Sequence, residues 1–103
     1  MDHFKPRSLL GECLIAHRDE LLAAADRRGL EDVRIFGSVV RGEDVEESDV
    51  DLLVRRGPGS RALSVIGFEE DAEALLGVPV DVISDSGLGG RSRDEILATA
   101  VPL

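Results

Sequence analysis

The middle of the chain reads IFGSVVRGEDVEESDVDLLV over residues 35–54, and this order of residue types predicts two strands joined by a turn and an acidic loop. The first strand ends at Gly37, and Ser38 opens one helical turn that Gly42 stops. A glycine lets the backbone leave a strand and pass close to a ligand. Amide groups at the start of a helical turn can point at a phosphate. The pattern therefore predicts a phosphate contact at Gly37 and Ser38, while a plain turn is the simpler alternative.

Two acidic residues, Asp49 and Asp51, open the second predicted strand, Val50 to Val54. Because side chains alternate along a strand, both carboxylates lie on one face and Val50 and Leu52 on the other. Two carboxylates so close repel each other unless a cation lies between them. Oxygen ligands of this kind suit Mg²⁺, which binds a few carboxylates together with substrate phosphates. The alternative interpretation is a pair of solvated acids at the start of a strand.

A third acid, Asp81, interrupts the apolar segment VPVDVI at residues 78–83. An acid inside an apolar strand is costly unless it is paired or faces water. If its strand lies beside the strand of Asp49 and Asp51, three carboxylates converge. Such a set can hold two metal ions about 3.5–4 Å apart, and Asp81 is then placed to act as a general base.

The remaining periodicities predict helices around these strands. A stripe at helical spacing runs through residues 8–28, and its members are Leu10, Leu14, His17, Leu21 and Ala24. Further helices are predicted at 63–76 and 92–100, and strands at 33–36 and 79–83. The predicted order is α-β-α-β-α-β-α, an α/β (α+β) fold in which helices cover a small sheet.

Length and charge limit the classes of function. A chain of 103 residues is expected to form a single domain over residues 1–103. Its net charge of −9 argues against direct nucleic-acid binding, because a polyanion repels it. The single cysteine, Cys13, excludes an internal disulfide. No apolar run reaches the ~20 residues that span a bilayer, and the polar start lacks a signal-peptide pattern. We therefore expect a cytoplasmic protein without a membrane partner.

The spacing of these motifs resembles a known superfamily. Gly37-Ser38, ten intervening residues, Asp49-x-Asp51 and a later strand acid are similar to the DNA polymerase β-type nucleotidyltransferases. The short length, the segment FGSVVRG at 36–42 and the ending ILATAVPL at 96–103 resemble their minimal members. These are the MNT-domain antitoxins of MntA type that are paired with HEPN toxins. The chain departs from the common pattern of the family at Val40 and Val45, and Glu46 and Glu47 make the loop unusually acidic.

The resemblance implies a fold, a reaction and a set of site residues. The fold is the nucleotidyltransferase core, with a small mixed sheet flanked by helices. The reaction transfers AMP from ATP, with Mg²⁺, to a tyrosine of a HEPN ribonuclease, in a type VII toxin–antitoxin system. Gly37, Ser38 and Arg41 would contact the nucleotide, and Asp49, Asp51 and Asp81 would hold two metal ions. The chain contains no tyrosine, so a tyrosine acceptor belongs to a partner.

Two other functions remain open at this stage. A vestigial binding module could silence a toxin by occlusion, and a small-molecule nucleotidyltransferase could use the same carboxylates. The helix stripe of residues 8–28 and the basic segment of Arg55, Arg56 and Arg61 are candidate partner contacts. Phe36 and Phe68 are expected in the core, and Cys13 is expected to act as a small apolar filler.

Overall fold

A mixed sheet of four strands organises the computed structural model, which describes residues 4–6, 8–42, 49–87 and 90–103. The elements in chain order are α1 (Leu9–Ala16), α2 (Arg18–Arg27), β1 (Leu30–Phe36), α3 (Ser38–Arg41), β2 (Val50–Arg56), α4 (Ala62–Leu76), β3 (Val80–Ser84), a 3₁₀ turn (Asp85–Gly87), α5 (Gly90–Thr99) and β4 (Val101–Pro102). This mixture of helices and a mixed sheet confirms the predicted fold class.

The sheet has the strand order β3-β2-β1-β4. Strand β2 pairs with β1 antiparallel and with β3 in parallel, and β1 pairs with β4 antiparallel. The mostly apolar β2 therefore lies inside the sheet, between β1 and β3. Parallel pairing of β2 and β3 requires a crossover, and α4 supplies it.

The main core lies between one face of the sheet and the helices α1, α2 and α4. Ile35, Leu52 and Val82 are neighbours across three strands and point into this core. The fully buried side chains that meet them from the helices are Leu14, Leu21 and Phe68. Burial of one such side chain stabilises the fold by roughly 1.5–3 kcal/mol. Because one face of the sheet packs against the helices, functional side chains on the strands can be accessible only on the other face.

The second face of the sheet carries the strand residues that alternate with those pointing into the main core. On β2 these are Asp51, Leu53 and Arg55, and Asp81 and Ile83 are the neighbours of the first two on β3. Leu53 is buried outside the main core cluster. The acidic residues thus share a face that the main core does not use.

Three features differ from the sequence-based expectations. The helix predicted at 8–28 is two helices, because His17 leaves helical geometry (φ −102°, ψ 12°). The stripe survives the break, since Leu14 and Leu21 are both fully buried. Strand β4 was not predicted, and α5 begins at Gly90, two residues earlier than expected.

The phenylalanines in the core are Phe4 and Phe68, whereas the sequence predicted Phe36 and Phe68. Phe68 is fully buried, but Phe36 is only half-buried. Phe4 is 5% exposed and belongs to the core. Its backbone N–H donates to the Pro102 carbonyl at 2.8 Å, which ties the first described residues to β4.

The described helices include none that is long and apolar enough to cross a bilayer. The predicted acidic loop at 43–48, which contains Val45, Glu46 and Glu47, lies outside the described residues.

Candidate active site

The strand register brings two of the predicted site carboxylates together. Asp51 on β2 is the direct neighbour of Asp81 on β3, and Phe36 on β1 is the neighbour of Asp51 on its other side. Neighbours in adjacent strands are about 4.8 Å apart in the hydrogen-bonding direction and share a face. Asp51 and Asp81 therefore lie side by side on the face opposite the main core.

The third carboxylate belongs to Asp49, which directly precedes β2 and is exposed. In the described ranges, no group of three or more His, Cys, Asp or Glu residues forms a metal site by its geometry. The convergence of all three carboxylates thus stays a prediction, whereas the pairing of Asp51 with Asp81 is a feature of the sheet.

The surroundings of the Asp51 carboxyl disfavour its ionisation. Its side chain is half-buried, and that burial raises the pKa of the Asp51 carboxyl above its ordinary value. The charges of Asp81 and then Asp49 raise this pKa further, and the positive charge of Arg41 lowers it. Repulsion among the three acids means that a bound cation would be favoured by their charge as well as by their oxygen atoms. The donor chemistry therefore fits a hard divalent ion such as Mg²⁺.

The conformation of Gly37 explains why a glycine follows β1. Its backbone has φ 84° and ψ −155°, a region that is essentially restricted to glycine. A Cβ atom at this position would overlap Asp51 Oδ2 and would lie 3.2 Å from Asp51 Cγ. Gly37 thus leaves the space that the Asp51 carboxylate occupies. Sequence reasoning assigned this glycine to a close approach of a ligand and missed its contact with Asp51.

The short helix α3 directly follows Gly37, which is its N-cap residue. Val39 is fully buried and anchors this turn in the core. Ser38 at its start is half-buried, and Arg41 at its end is exposed. Gly42 closes the turn in a left-handed conformation (φ 70°, ψ 23°). The turn predicted from the sequence is therefore present, with Ser38 and Arg41 at its two ends.

The other residues that the sequence singled out lie elsewhere. Cys13 packs against the core, as expected for an apolar filler. His17 contacts Glu20 Oε1 through Nδ1 at 3.0 Å on the surface. The stripe of residues 8–28 faces the core at Leu14, Leu21 and Ala24, so these side chains are not available to a partner.

The basic segment lies partly in β2 and partly in the connection that follows it. Arg55 forms an ion pair with Glu31 at 2.8 Å, and Arg56 donates to the Ser60 carbonyl at 3.0 Å. Both arginines remain exposed. Their partners within the chain hold these side chains at the end of β2 remote from Asp51.

Comparisons with known proteins give consistent results. Residues 18–100 match the model of the nucleotidyltransferase domain family. The chain is 45% identical over 88 residues to the protein adenylyltransferase MntA of Thermococcus cleftensis. The aligned segment covers 85% of this chain and 86% of that relative. It is 36% identical over 75 residues to a candidate protein adenylyltransferase of Methanocaldococcus jannaschii, covering 73% of this chain and 81% of the relative.

Two solved structures resemble the fold. A candidate minimal nucleotidyltransferase superposes with a TM-score of 0.81 at 44% identity, over 89% of this chain and 94% of that chain. A chain from a crystal structure of a toxin–antitoxin with AMP-PNP superposes with a TM-score of 0.70 at 14% identity, over 82% of this chain and 69% of that chain. At this low identity the second match concerns the fold alone.

Proposed function

The chain belongs to the nucleotidyltransferase domain family and is a nucleotidyltransferase, and we propose that it transfers AMP from ATP to a tyrosine of a HEPN ribonuclease toxin, for which it is the antitoxin. The proposal goes beyond family membership in its acceptor, its metal and its biological role. The observation that carries it is the register of Asp51 with Asp81 beside the Gly37 turn.

Each site residue has a role in this proposal. Asp49, Asp51 and Asp81 would hold one or two Mg²⁺ ions through their carboxylate oxygens. When bound, the ions neutralise charge on the triphosphate and on the leaving pyrophosphate. Gly37 and Ser38 contact phosphate oxygens at the start of α3, and Arg41 adds a positive charge beside Asp51.

The transfer exchanges one bond at the α-phosphorus. The acceptor oxygen forms a new bond to that phosphorus, and the bond between the α-phosphorus and the pyrophosphate oxygen breaks. Asp81 takes the proton of the acceptor hydroxyl as a general base. Asp81 is exposed at its position beside Asp51, which is consistent with an acceptor that arrives from another protein.

Two further observations support an acceptor outside the chain. The sequence contains no tyrosine, so tyrosine modification within the same chain is impossible. The relative from Thermococcus cleftensis is named a protein adenylyltransferase. That name belongs to the relative, and it supports a protein as the acceptor here.

A labelling experiment tests the proposal. The protein is incubated with a HEPN ribonuclease encoded beside it, Mg²⁺ and ATP labelled either at the α- or at the γ-phosphate. We expect α-label on a tyrosine of the partner, no transfer of γ-label and no transfer when EDTA replaces Mg²⁺. Suppression of the toxin without any covalent label would replace the enzyme with an occluding binding module. Label on a small molecule alone would indicate a different acceptor class.

A further inference from the structure

Two glutamates of α4 bond to the outer edge of β3. Glu73 Oε2 accepts from the backbone N–H of Val80 at 3.3 Å, and Glu69 Oε2 accepts from the backbone N–H of Val82 at 3.1 Å. Both bonds are partly buried. Strand β3 is at the edge of the sheet, with β2 on its other side. The two glutamates therefore occupy the place of a further strand.

The spacing of the two elements makes this arrangement possible. Residues four apart on a helix share a face and are separated by about 6 Å along the axis. Residues two apart on a strand are about 6.6–6.8 Å apart and direct their N–H groups to the same side. The connection between α4 and β3 contains only residues 77–79, and it reverses the chain direction. Glu73 therefore meets the first of the two strand residues and Glu69 the second.

Asp81 lies between the two bonded residues. Its side chain points to the opposite face of the sheet from those of Val80 and Val82, and it pairs with Asp51 on β2. Two glutamates thus hold the backbone on both sides of a site carboxylate from the outside of the sheet. An edge strand without such bonds has free N–H groups and can slip or fray. A slip of one residue would move Asp81 to the core face.

We infer that Glu69 and Glu73 are positioning residues, which hold β3 in register with β2 so that the Asp81 carboxylate stays beside Asp51. They act through the backbone of β3 and do not touch the reacting atoms. The inference rests on the proposed function for its effect on catalysis. The hydrogen bonds themselves are tested without any nucleotide.

The test compares alanine with glutamine at both positions. Glutamine keeps an acceptor oxygen, whereas alanine removes it, so the variants are Glu69→Ala, Glu73→Ala, Glu69→Gln and Glu73→Gln. Glu70→Ala is the matched control, because Glu70 is an exposed glutamate of the same helix. Hydrogen exchange at the Val80 and Val82 amides, measured by NMR on the free protein, reports directly on the two hydrogen bonds to Glu73 and Glu69. The kcat and KM for AMP transfer, measured well below the melting temperature of each variant, show how the loss of these bonds affects catalysis.

We expect each alanine variant to accelerate amide exchange at its own partner by about tenfold, since a lost bond exposes that amide. We expect kcat for transfer to fall about tenfold with KM for ATP within about twofold, while glutamine and Glu70→Ala remain within about threefold of the parent. Unchanged exchange in both alanine variants would overturn the inference. So would fast exchange with full transfer, which would reduce the glutamates to protection of a sheet edge. A parent that transfers no AMP would refute the proposed function, and the exchange data would still judge the hydrogen bonds.

Discussion

At the scale of single residues, the candidate site brings the backbone of Gly37 close to the carboxylate of Asp51. The glycine has a conformation that other residues avoid, and the carboxylate fills the space that a Cβ would need. The same carboxylate carries a raised pKa, because it is half-buried beside Asp81 and Asp49. Both properties are local, and each can be altered by one substitution.

Gly37→Ala is expected to displace the Asp51 carboxylate and to lower AMP transfer by at least about tenfold. The strained backbone adds a cost of about 1–3 kcal/mol to the folded state. Gly59→Ala is the matched control, because Gly59 also has a positive φ of 83° but meets no atom within 4 Å. Thermal melting and the transfer rate are measured for both variants. Equal transfer rates in the two variants would show that the contact with Asp51 does not matter.

Asp51→Asn is expected to change how stability depends on pH. The folded state holds the Asp51 proton more tightly than the unfolded state, because the pKa is raised above 3.8. Ionisation of Asp51 therefore costs stability as pH rises from that value through the folded pKa. The variant lacks this cost, so its free energy of unfolding should match that of the parent near pH 3.5 and exceed it at pH 7 by roughly 0–1 kcal/mol after solvent screening. The melting temperature of the variant should therefore be higher than that of the parent at pH 7.

Exposed Asp26, on α2, provides the control substitution Asp26→Asn for this comparison. Added Mg²⁺ at pH 7 should raise the melting temperature of the parent more than that of Asp51→Asn. A gap between parent and variant that shrinks as pH rises would contradict the raised pKa.

At the scale of elements, an ion pair joins the C-cap residue of α2, Arg28, to α4. Arg28 Nε donates to Asp71 Oδ2 at 2.8 Å. Gly67 of α4 leaves room for this arginine, since a Cβ there would overlap the guanidinium. The pair stabilises the packing of α4, the helix that also provides Glu69 and Glu73 to β3.

Asp71→Asn is expected to lower the melting temperature at pH 7. The hydrogen bond from Arg28 lowers the pKa of the Asp71 carboxyl, so this bond contributes stability above pH 3.8 that is lost as pH falls through the folded pKa. The gap between parent and variant should therefore close in acid, opposite to the behaviour of Asp51→Asn. Melting curves between pH 3 and pH 7 check this, and a gap independent of pH would contradict it.

The elements differ in how far the sequence predicts them. The helix at 63–76 and the strand at 50–54 have clear periodicity, and the structure places them at Ala62–Leu76 and Val50–Arg56. Strand β4 has only two residues, one of them a proline, and it depends on pairing with the distant β1. The break at His17 has no glycine or proline to signal it.

At the scale of the whole molecule, the site depends on contacts between segments far apart in sequence. The residue types of Asp49, Asp51 and Asp81 indicate metal chemistry, and alternation alone places the first two on one face. The neighbour relation of Asp51 and Asp81 depends on strand order and register, which one strand cannot reveal. The contact of Gly37 with Asp51 and the bonds of Glu69 and Glu73 to β3 likewise require the folded chain.

We propose that the carboxylates of Asp49, Asp51 and Asp81 catalyse AMP transfer to a partner protein. The direct measurement is the intact mass of the HEPN partner after incubation with ATP, Mg²⁺ and either the parent or the double variant Asp49→Asn plus Asp51→Asn. Asparagine keeps the shape but removes two negative charges, so the site loses its hold on Mg²⁺ and on the charge that develops during transfer. We expect the partner to gain the mass of AMP with the parent and to gain none with the folded double variant. Addition by the double variant at near the parent rate would contradict this proposal.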